Sequence, residues 1–529
     1  MKTHDMGTFF EDRAEAGCRT VTHLSRPFDI APGAGTTYDV GQLASLVRDA
    51  AGWMAAAGAG PGDRVAVAKD NHWDIDLLAC AAIRLGALPA LLPRHLPAET
   101  LAVLLDRLKP TLLVTTAGTL DAAARSHVDL ATLAERTLSI DGGRALTLDR
   151  VRGHAPPPPQ RRRDDEPLVV TPTSGTTGVP KLVVHSTTTI IRRLASFEAH
   201  RWPVMGFKAD DTVATASAFT HGRTFCWTAA TYTLAPRHVV VVADHDPASA
   251  EALLRAHPPT VLEGLPSTYV RWQPMAARPD NPFSQVRLYV GTYDAVHPTT
   301  VRTYLAASRR RLPVWVQGWG QTELGPLTFR VFTRRAVARR AARHPTTRNQ
   351  GWAVPARTRL RVVDPDTFAA VKPGQAGLIM ARTGARCLGY VGEQQRWEHK
   401  AKGAWFNTGD IGVRTRLGNI VFVDREVDQI PGMSCVELED VIDDRLPQVL
   451  ECVVLGAPGR LPLPVVATPD GTLEPTAWQA AVADLPELDE PLVLTWDELP
   501  RTVTGKVRRL ELRQRLADLR ATYGTGRWT

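Results

Sequence analysis

The chain has 529 residues, 44% of them hydrophobic and 22% charged, which excludes wholesale disorder and leaves room for a sizeable core. Lys and Arg exceed Asp and Glu by a formal charge of +8, a mild surplus that suits small anionic ligands and does not by itself call for nucleic acid. The six cysteines, at 18, 80, 226, 387, 435 and 452, have neither CxxC nor zinc-finger spacing, so a disulfide framework and a structural zinc are not expected and the cytoplasm is the expected compartment. The N-terminal residues lack the apolar run of a signal peptide, and apolar stretches such as Val239–Ala243 fall far short of a bilayer span. No membrane partner is expected.

Residues 41–58 have the spacing of an amphipathic helix ending at Gly58, and Gly60-Pro61-Gly62-Asp63 marks a turn. Arg64–Ala68 reads as a buried strand, Asp74–Leu85 as a helix closed by Gly86, and Ala87–Leu92 as the next strand. This alternation predicts a parallel, doubly wound sheet. Pro156–Pro159 with the charged residues that follow reads as a surface connector. A second strand and helix series runs from Leu168 to about Val423, with strands at Val239–Val242 and Val314–Val316. Arg334–Arg343 reads as a basic helix, either a solvated face or a patch for an anion or partner. Beyond Arg425 the pattern is compact and αββαβ-like, which places a domain boundary there.

The sharpest local feature is Thr171–Lys181, TPTSGTTGVPK, after the apolar strand Pro167–Val170. Such a loop offers backbone N–H groups, the hydroxyls of Thr173, Ser174, Thr176 and Thr177, and the Lys181 ammonium, while Gly175 and Gly178 allow close approach to phosphate oxygens. The order of glycines and hydroxyls differs from that of a P-loop NTPase.

The run TSGTTGVPKLVVHS resembles the phosphate-binding loop of the adenylate-forming superfamily of acyl-CoA synthetases, adenylation domains and luciferases. Further segments follow in the family's order: Gly60–Pro93, Gln317–Glu323 (QGWGQTE), Trp405–Gly412 (WFNTGDIG) and Pro500–Arg509 (PRTVTGKVRR). The resemblance implies an α/β fold: a large N-terminal domain, 1–424, of doubly wound sheets with helices and a small β-rich subdomain, binding ATP and the acid, and a small mobile α+β C-terminal domain, 425–529, acting as a lid. It also implies adenylation of a carboxylate by ATP, with release of pyrophosphate.

On this resemblance Thr173, Ser174, Gly175, Thr176, Thr177, Gly178 and Lys181 wrap the ATP phosphates, Thr322 meets the α-phosphate, and Glu323 is the Mg2+ ligand. Asp410 accepts from the ribose hydroxyls, with Arg425 reaching the same sugar. Lys506 bridges the carboxylate and the α-phosphate, where charge develops in the transition state. Trp319 stands where the family stacks an aromatic on adenine, a core tryptophan being the other reading. His221 matches the gate of the acid pocket, Gly264 and Gly318 its walls, and Gly291-Thr292-Tyr293-Asp294 the adenine loop. That loop departs from the family's Gly-Gly, and the bulk of Tyr293 favours a small or flat substrate over a long acyl chain, a small aromatic acid being expected. Arg223, in an otherwise apolar stretch, needs an anionic partner: an internal salt bridge, or a second carboxylate or small anion of the substrate.

After Arg425 the hinge position is Val427, and the stretch to Glu437 is shorter than the family's pantetheine-lining loop. CoA thiol is the default acceptor of the family, and CoA delivery is the step these departures weaken. An amine acceptor without CoA is the alternative, either in an amide synthetase or in a nitrite-activating diazotase acting on an aromatic amine. Loading of a carrier protein is a further one. The expected partners are a small acid or anion and a thiol or amine acceptor, with no nucleic acid.

Overall fold

The computed structural model describes residues 4–174, 178–338, 345–425, 434–456, 461–502 and 504–515. They form two compact units: residues 1–263 with 322–325 and 384–399, and residues 264–321 with 326–383 and 400–529. The segment expected as a C-terminal domain belongs to the second of these.

In the first unit one sheet runs in the order Gly389–Tyr390, Leu182–Ser186, Pro167–Pro172, Leu88–Pro93, Arg64–Lys69, Leu112–Thr115, Arg136–Ser139, Leu146–Thr147. Its centre is parallel, and only the pairings of Leu182–Ser186 are antiparallel. Central parallel strands are covered on both faces, and Arg64–Lys69 is accordingly buried after its first residue. Helix Val40–Ala56 starts with a capping box between Asp39 and Gln42, each side chain accepting from the other's backbone N–H at 2.8 Å. Helix Asp74–Arg84 is buried along its whole length, so its charges need internal partners. Lys69 pairs with Asp74 at 2.6 Å and Arg84 with Glu11 at 2.7 Å, whereas Asp76 is met by hydroxyls, that of Thr228 at 2.7 Å and that of Thr224. The remaining strands of this unit lie in the order Val261–Gly264, Thr212–Ala216, His238–Val241, Val21–Leu24, Thr37–Tyr38.

In the second unit Leu288–Gly291 and Val314–Gln321 are parallel neighbours. The antiparallel strands between 325 and 425 form its β-rich part, with Trp405–Arg414 between Ala376–Thr383 and Ile420–Arg425. After residue 434 come helix Cys435–Arg445, strands Glu451–Leu455 and Leu463–Thr468, helix Pro475–Val482 and strand Leu492–Thr495, the expected αββαβ order. This segment meets the rest of the unit through ion pairs: His297 with Asp440 at 2.9 Å, Arg302 with Asp444, and Arg348 with Glu437.

The basic run is not a helix where it is described. Arg334–Val337 form a turn, and Arg334 donates to the carbonyls of Leu305 and Ser308 at the end of helix Pro298–Ala307. An arginine on the orphan carbonyls of a helix C-terminus is a satisfied tertiary partner. Residues 339–344 lie outside the described residues.

Candidate active site

In the first unit the loop Thr171–Lys181, expected to bind phosphate, is closed at its base. Thr173 N donates to Lys181 O at 2.9 Å, and Lys181 N to Thr173 Oγ1 at 3.0 Å. Ser174 and Gly178 flank the tip, and Gly178 has φ +130 with open space around its α-carbon. Gly175, Thr176 and Thr177 lie outside the described residues. Lys181 reaches Glu323 Oε1 at 2.5 Å, and the Tyr390 hydroxyl donates to the same oxygen at 2.7 Å. Burial, with the neighbouring Glu323 charge, pushes the Tyr390 phenol far above its ordinary range, so it remains a donor. The backbone around Glu323 is also fixed. His185 Nε2 donates to Thr322 O at 2.8 Å, and Cys387 N to Glu323 O at 2.8 Å.

Thr322 connects this corner to the head of helix Gly222–Leu234. His221 caps that helix, its Nδ1 accepting from Arg223 N at 3.1 Å. The ring hydrogen therefore sits on Nε2, which faces Thr322 Oγ1 at 3.3 Å. Arg223 is held internally. Nε and Nη2 grip the two oxygens of Glu263 at 2.8 Å each, and Nη1 meets Glu198. Of the two expectations for Arg223, the structure bears the internal salt bridge, because two carboxylates already surround the guanidinium. Gly264 ends the strand that carries Glu263.

The second unit carries the other expected residues. Trp319 lies on strand Val314–Gln321 and packs, partly buried, against Val362, Ile379 and Ile420. Gly318 lies beside Thr292: a Cβ there would stand 3.7 Å from Thr292 Cγ2. Gly291 leaves no room for a side chain, since a Cβ would come within 2.8 Å of the Trp315 ring. Tyr293 has φ +80, a left-handed conformation that glycine adopts freely and a bulky residue only with strain. Asp410 is buried, accepts from Gln321 Nε2 at 3.2 Å, and pairs in register with Arg425 across the sheet. The Arg425 side chain and residues 426–433, including Val427, lie outside the described residues.

Lys506 sits in a turn closed by Thr502 N to Lys506 O at 2.7 Å and Lys506 N to Thr502 Oγ1 at 3.1 Å. Its Nζ is 3.8 Å from Asp294 Oδ1. Gly505, at φ +75, lies so close to Ser267 that a Cβ would fall 1.8 Å from its Oγ. A small cleft beside this turn is lined by Ser267, Asp294, His297, Glu451 and Gly505, among others.

The composition of these groups limits what they can hold. Among the described residues no group of three or more His, Cys, Asp or Glu could hold a metal by itself. A single buried carboxylate fits a hard cation that brings phosphate oxygens with it. Thr292 Oγ1 and Gln321 Oε1 are buried without a hydrogen-bond partner, which leaves them for a ligand. Residues missed by sequence reasoning are Tyr390, His185, Glu198, Glu263 and Gln321. The first four act at positions remote in sequence from the residues they hold, and the signals that could have found any of them are the positions of His185 inside TSGTTGVPKLVVHS and of Gln321 inside QGWGQTE.

The family model of the AMP-binding enzymes matches residues 10–391. The chain belongs to that family. It is an adenylate-forming, ATP-dependent ligase. A 3-amino-2-hydroxy-4-methoxybenzoate diazotase of Streptomyces cremeus is 36% identical over 98% of this chain and 96% of its own. In fold the chain is similar to an anthranilate CoA ligase, AuaEII, solved with anthranoyl-AMP (TM-score 0.80, 20% identity, 98% of each chain). It is also similar to the amide bond synthetase McbA of Marinactinospora thermotolerans (TM-score 0.75, 21% identity, 97% of this chain and 100% of that one). No helix among the described residues is long and apolar enough to cross a membrane.

Proposed function

We propose that this adenylate-forming ligase is an ATP-dependent diazotase: it adenylates nitrite and passes the nitroso group to an aromatic amine, without CoA. The observation that carries this reading is the similarity, over nearly the whole of both chains, to a diazotase whose substrate bears an aromatic amine. The strained Tyr293 in the adenine loop supports a small or flat substrate.

A nitrite oxygen attacks the α-phosphorus of ATP and pyrophosphate leaves. The amine nitrogen then attacks the nitroso nitrogen, AMP departs with the bridging oxygen, and loss of water gives the diazonium ion. Thr173, Ser174, Gly175, Thr176, Thr177, Gly178 and Lys181 hold the phosphates, and Thr322 donates to the α-phosphate. Glu323 holds Mg2+, which neutralises phosphate charge when bound. Trp319, Gly291, Thr292 and Tyr293 take adenine, and Asp410 and Arg425 the ribose. Lys506 stabilises the charge that develops at the α-phosphate. His221, Gly264, Tyr293 and Gly318 are the residues assigned to the small anion, while Arg223 stays with Glu198 and Glu263. Residues 425–529 act as a lid on the ATP- and acid-binding part, 1–424, and deliver Lys506 to the reaction.

The test is product analysis with ATP, Mg2+, [15N]nitrite and a panel of aminobenzoates, with and without CoA, any diazonium ion being trapped as an azo dye. The expected result is a labelled dye, with AMP and pyrophosphate formed in equal amounts. Formation of an acyl-CoA thioester or an amide from the same acids, with no dye, would overturn the reading.

A further inference from the structure

We propose that Asn71 is a positioning residue for adenylation: its side-chain amide fixes the segment Ser217–His221, and through it the His221 ring that faces Thr322. This rests on the reading that assigns His221 and Thr322 to the reacting anions.

The segment follows strand Thr212–Ala216 and leads into helix Gly222–Leu234. Ser217, Ala218, Phe219 and Thr220 are buried, yet none of them belongs to a strand, so no regular ladder satisfies their backbone. Buried peptide groups need partners, and Asn71 supplies them. Its Nδ2 donates to Ser217 O at 3.0 Å, and its Oδ1 accepts from Phe219 N at 2.8 Å. Nδ2 also donates to Ala243 O at 3.3 Å, just beyond strand His238–Val241. A carbonyl can only accept and an N–H only donate, so these partners fix which way the amide faces. The side chain stands in for a peptide group of an adjacent strand, binding the C=O of one residue and the N–H two residues on.

Asn71 is itself held. It lies just past the end of strand Arg64–Lys69, and Arg26 donates to its carbonyl at 3.3 Å. The buried Lys69 ammonium meets Asp70 O at 3.0 Å and the carboxylates of Asp29 and Asp74 at 2.6 Å each. A side chain on so fixed a turn imposes its geometry on the loop it binds.

From Phe219 the chain turns directly to His221, whose N donates to Ala218 O at 3.0 Å. His221 Nε2 faces Thr322 Oγ1 at 3.3 Å. That contact is at the long end of a hydrogen bond, so a shift of a few tenths of an ångström in the segment breaks it. When Thr322 Oγ1 accepts from His221, its own hydrogen points elsewhere, in the reading above toward the α-phosphate.

The experiment compares Asn71→Ala, His221→Ala and the double variant by ATP–pyrophosphate exchange, driven by nitrite and in parallel by 2-aminobenzoate, well below each melting temperature. A group misplaced in the transition state lowers kcat more than substrate binding. Asn71→Ala is therefore expected to lower the kcat of exchange by about 10- to 100-fold, with KM for the magnesium nucleotide within about twofold of wild type. The double variant should be no slower than His221→Ala, because Asn71 acts through His221. Asn71→Asp keeps the acceptor for Phe219 N but turns an anion toward two carbonyls, and once protonated its O–H donates in place of Nδ2–H. Its rate relative to wild type should rise as pH falls from about 8 to about 5.5. Losses that multiply in the double variant, or Asn71→Ala at the wild-type rate beside an impaired His221→Ala, would overturn the positioning role. His221→Ala at the wild-type rate would instead overturn the reading that places His221 at the reaction, so the two failures are distinct.

Discussion

The buried acid Asp76 provides a quantitative test of how the head of helix Gly222–Leu234 is anchored. Trp73 Nε1 donates to Thr228 Oγ1 at 2.9 Å, and Thr228 in turn donates to Asp76 Oδ2 at 2.7 Å. Oδ1 is buried without a partner, and no cation pairs with the carboxyl among the described residues. Burial, opposed only by hydrogen bonds, raises the Asp76 carboxyl from 3.8 to about 7. Between those values the folded chain holds a proton that the unfolded chain has released, so stability falls as pH rises through the window and levels off above it. Each pH unit is worth about 1.4 kcal/mol, which gives roughly 4 kcal/mol across the window. Asp76→Asn keeps the shape and the acceptor but cannot ionise. Urea midpoints of both proteins between pH 4 and pH 8 should show the variant gaining on the wild type by up to that amount, nearly all of it between pH 4 and pH 7. A difference that stays constant across the range would refute the buried, protonated acid. A pH-dependent difference of opposite sign would show that Asp76 is held as an anion.

Four further outcomes follow from the site. Lys506→Ala should abolish nitrite-dependent pyrophosphate exchange while the melting temperature holds; unchanged exchange would remove Lys506 from the chemistry. Gly505→Ala should cost nearly as much with Lys506 intact, because the new methyl lands on Ser267; adding Ser267→Gly should restore part of the exchange rate, and no recovery would contradict the docked turn. Tyr390→Phe removes a hydrogen bond to a charged oxygen, worth about 1.5–3 kcal/mol, so kcat/KM for the magnesium nucleotide should fall about tenfold or more; an unaltered Mg2+ dependence would sever Tyr390 from Glu323. His297 is pulled down by burial, but its hydrogen bond to Asp440 and the charges of Asp443, Asp440 and Glu439 outweigh this and raise it to about 10. Its contribution is therefore complete below its ordinary value of 6.5 and is lost as pH rises through about 10. His297→Gln should destabilise by about 3–5 kcal/mol at pH 7, with the gap narrowing steadily as pH rises from about 6.5 to about 10; a gap that does not change with pH would refute the charged pair.

What could be read from the sequence was local. The alternation from residue 41 to residue 92 was legible because each element is bounded by its own signals, and Gly58 and Gly86, both at positive φ, mark its ends. The loop Thr171–Lys181 and the GWGQTE run stood out in the sequence because their signals are carried by neighbouring residues, and their roles toward ATP remain part of the proposal. The partners of Arg223 were not, because Glu198 and Glu263 lie 25 and 40 positions away, and Tyr390 lies 67 positions beyond Glu323. The basic run after Arg334 misled for a related reason. Its spacing suited a helix, but the carbonyls at the end of helix Pro298–Ala307 claim its first arginine.

Charge balance separates the charged groups assigned to the site into two kinds. Within the first unit Lys181 and Glu323 cancel each other at 2.5 Å. Within the second, Lys506 lies 3.8 Å from Asp294. Such pairs suit groups that exchange partners: a phosphate or a developing oxyanion takes over the lysine, and the carboxylate is released to a cation or to water. Arg223 differs, because both oxygens of Glu263 and one of Glu198 hold its guanidinium within the protein. A two-pronged carboxylate pairing at 2.8 Å is a strong, directional one, so breaking it by removing Glu263 would leave a partly buried charge and cost stability. The arginine thus acts as an internal anchor of the head of helix Gly222–Leu234.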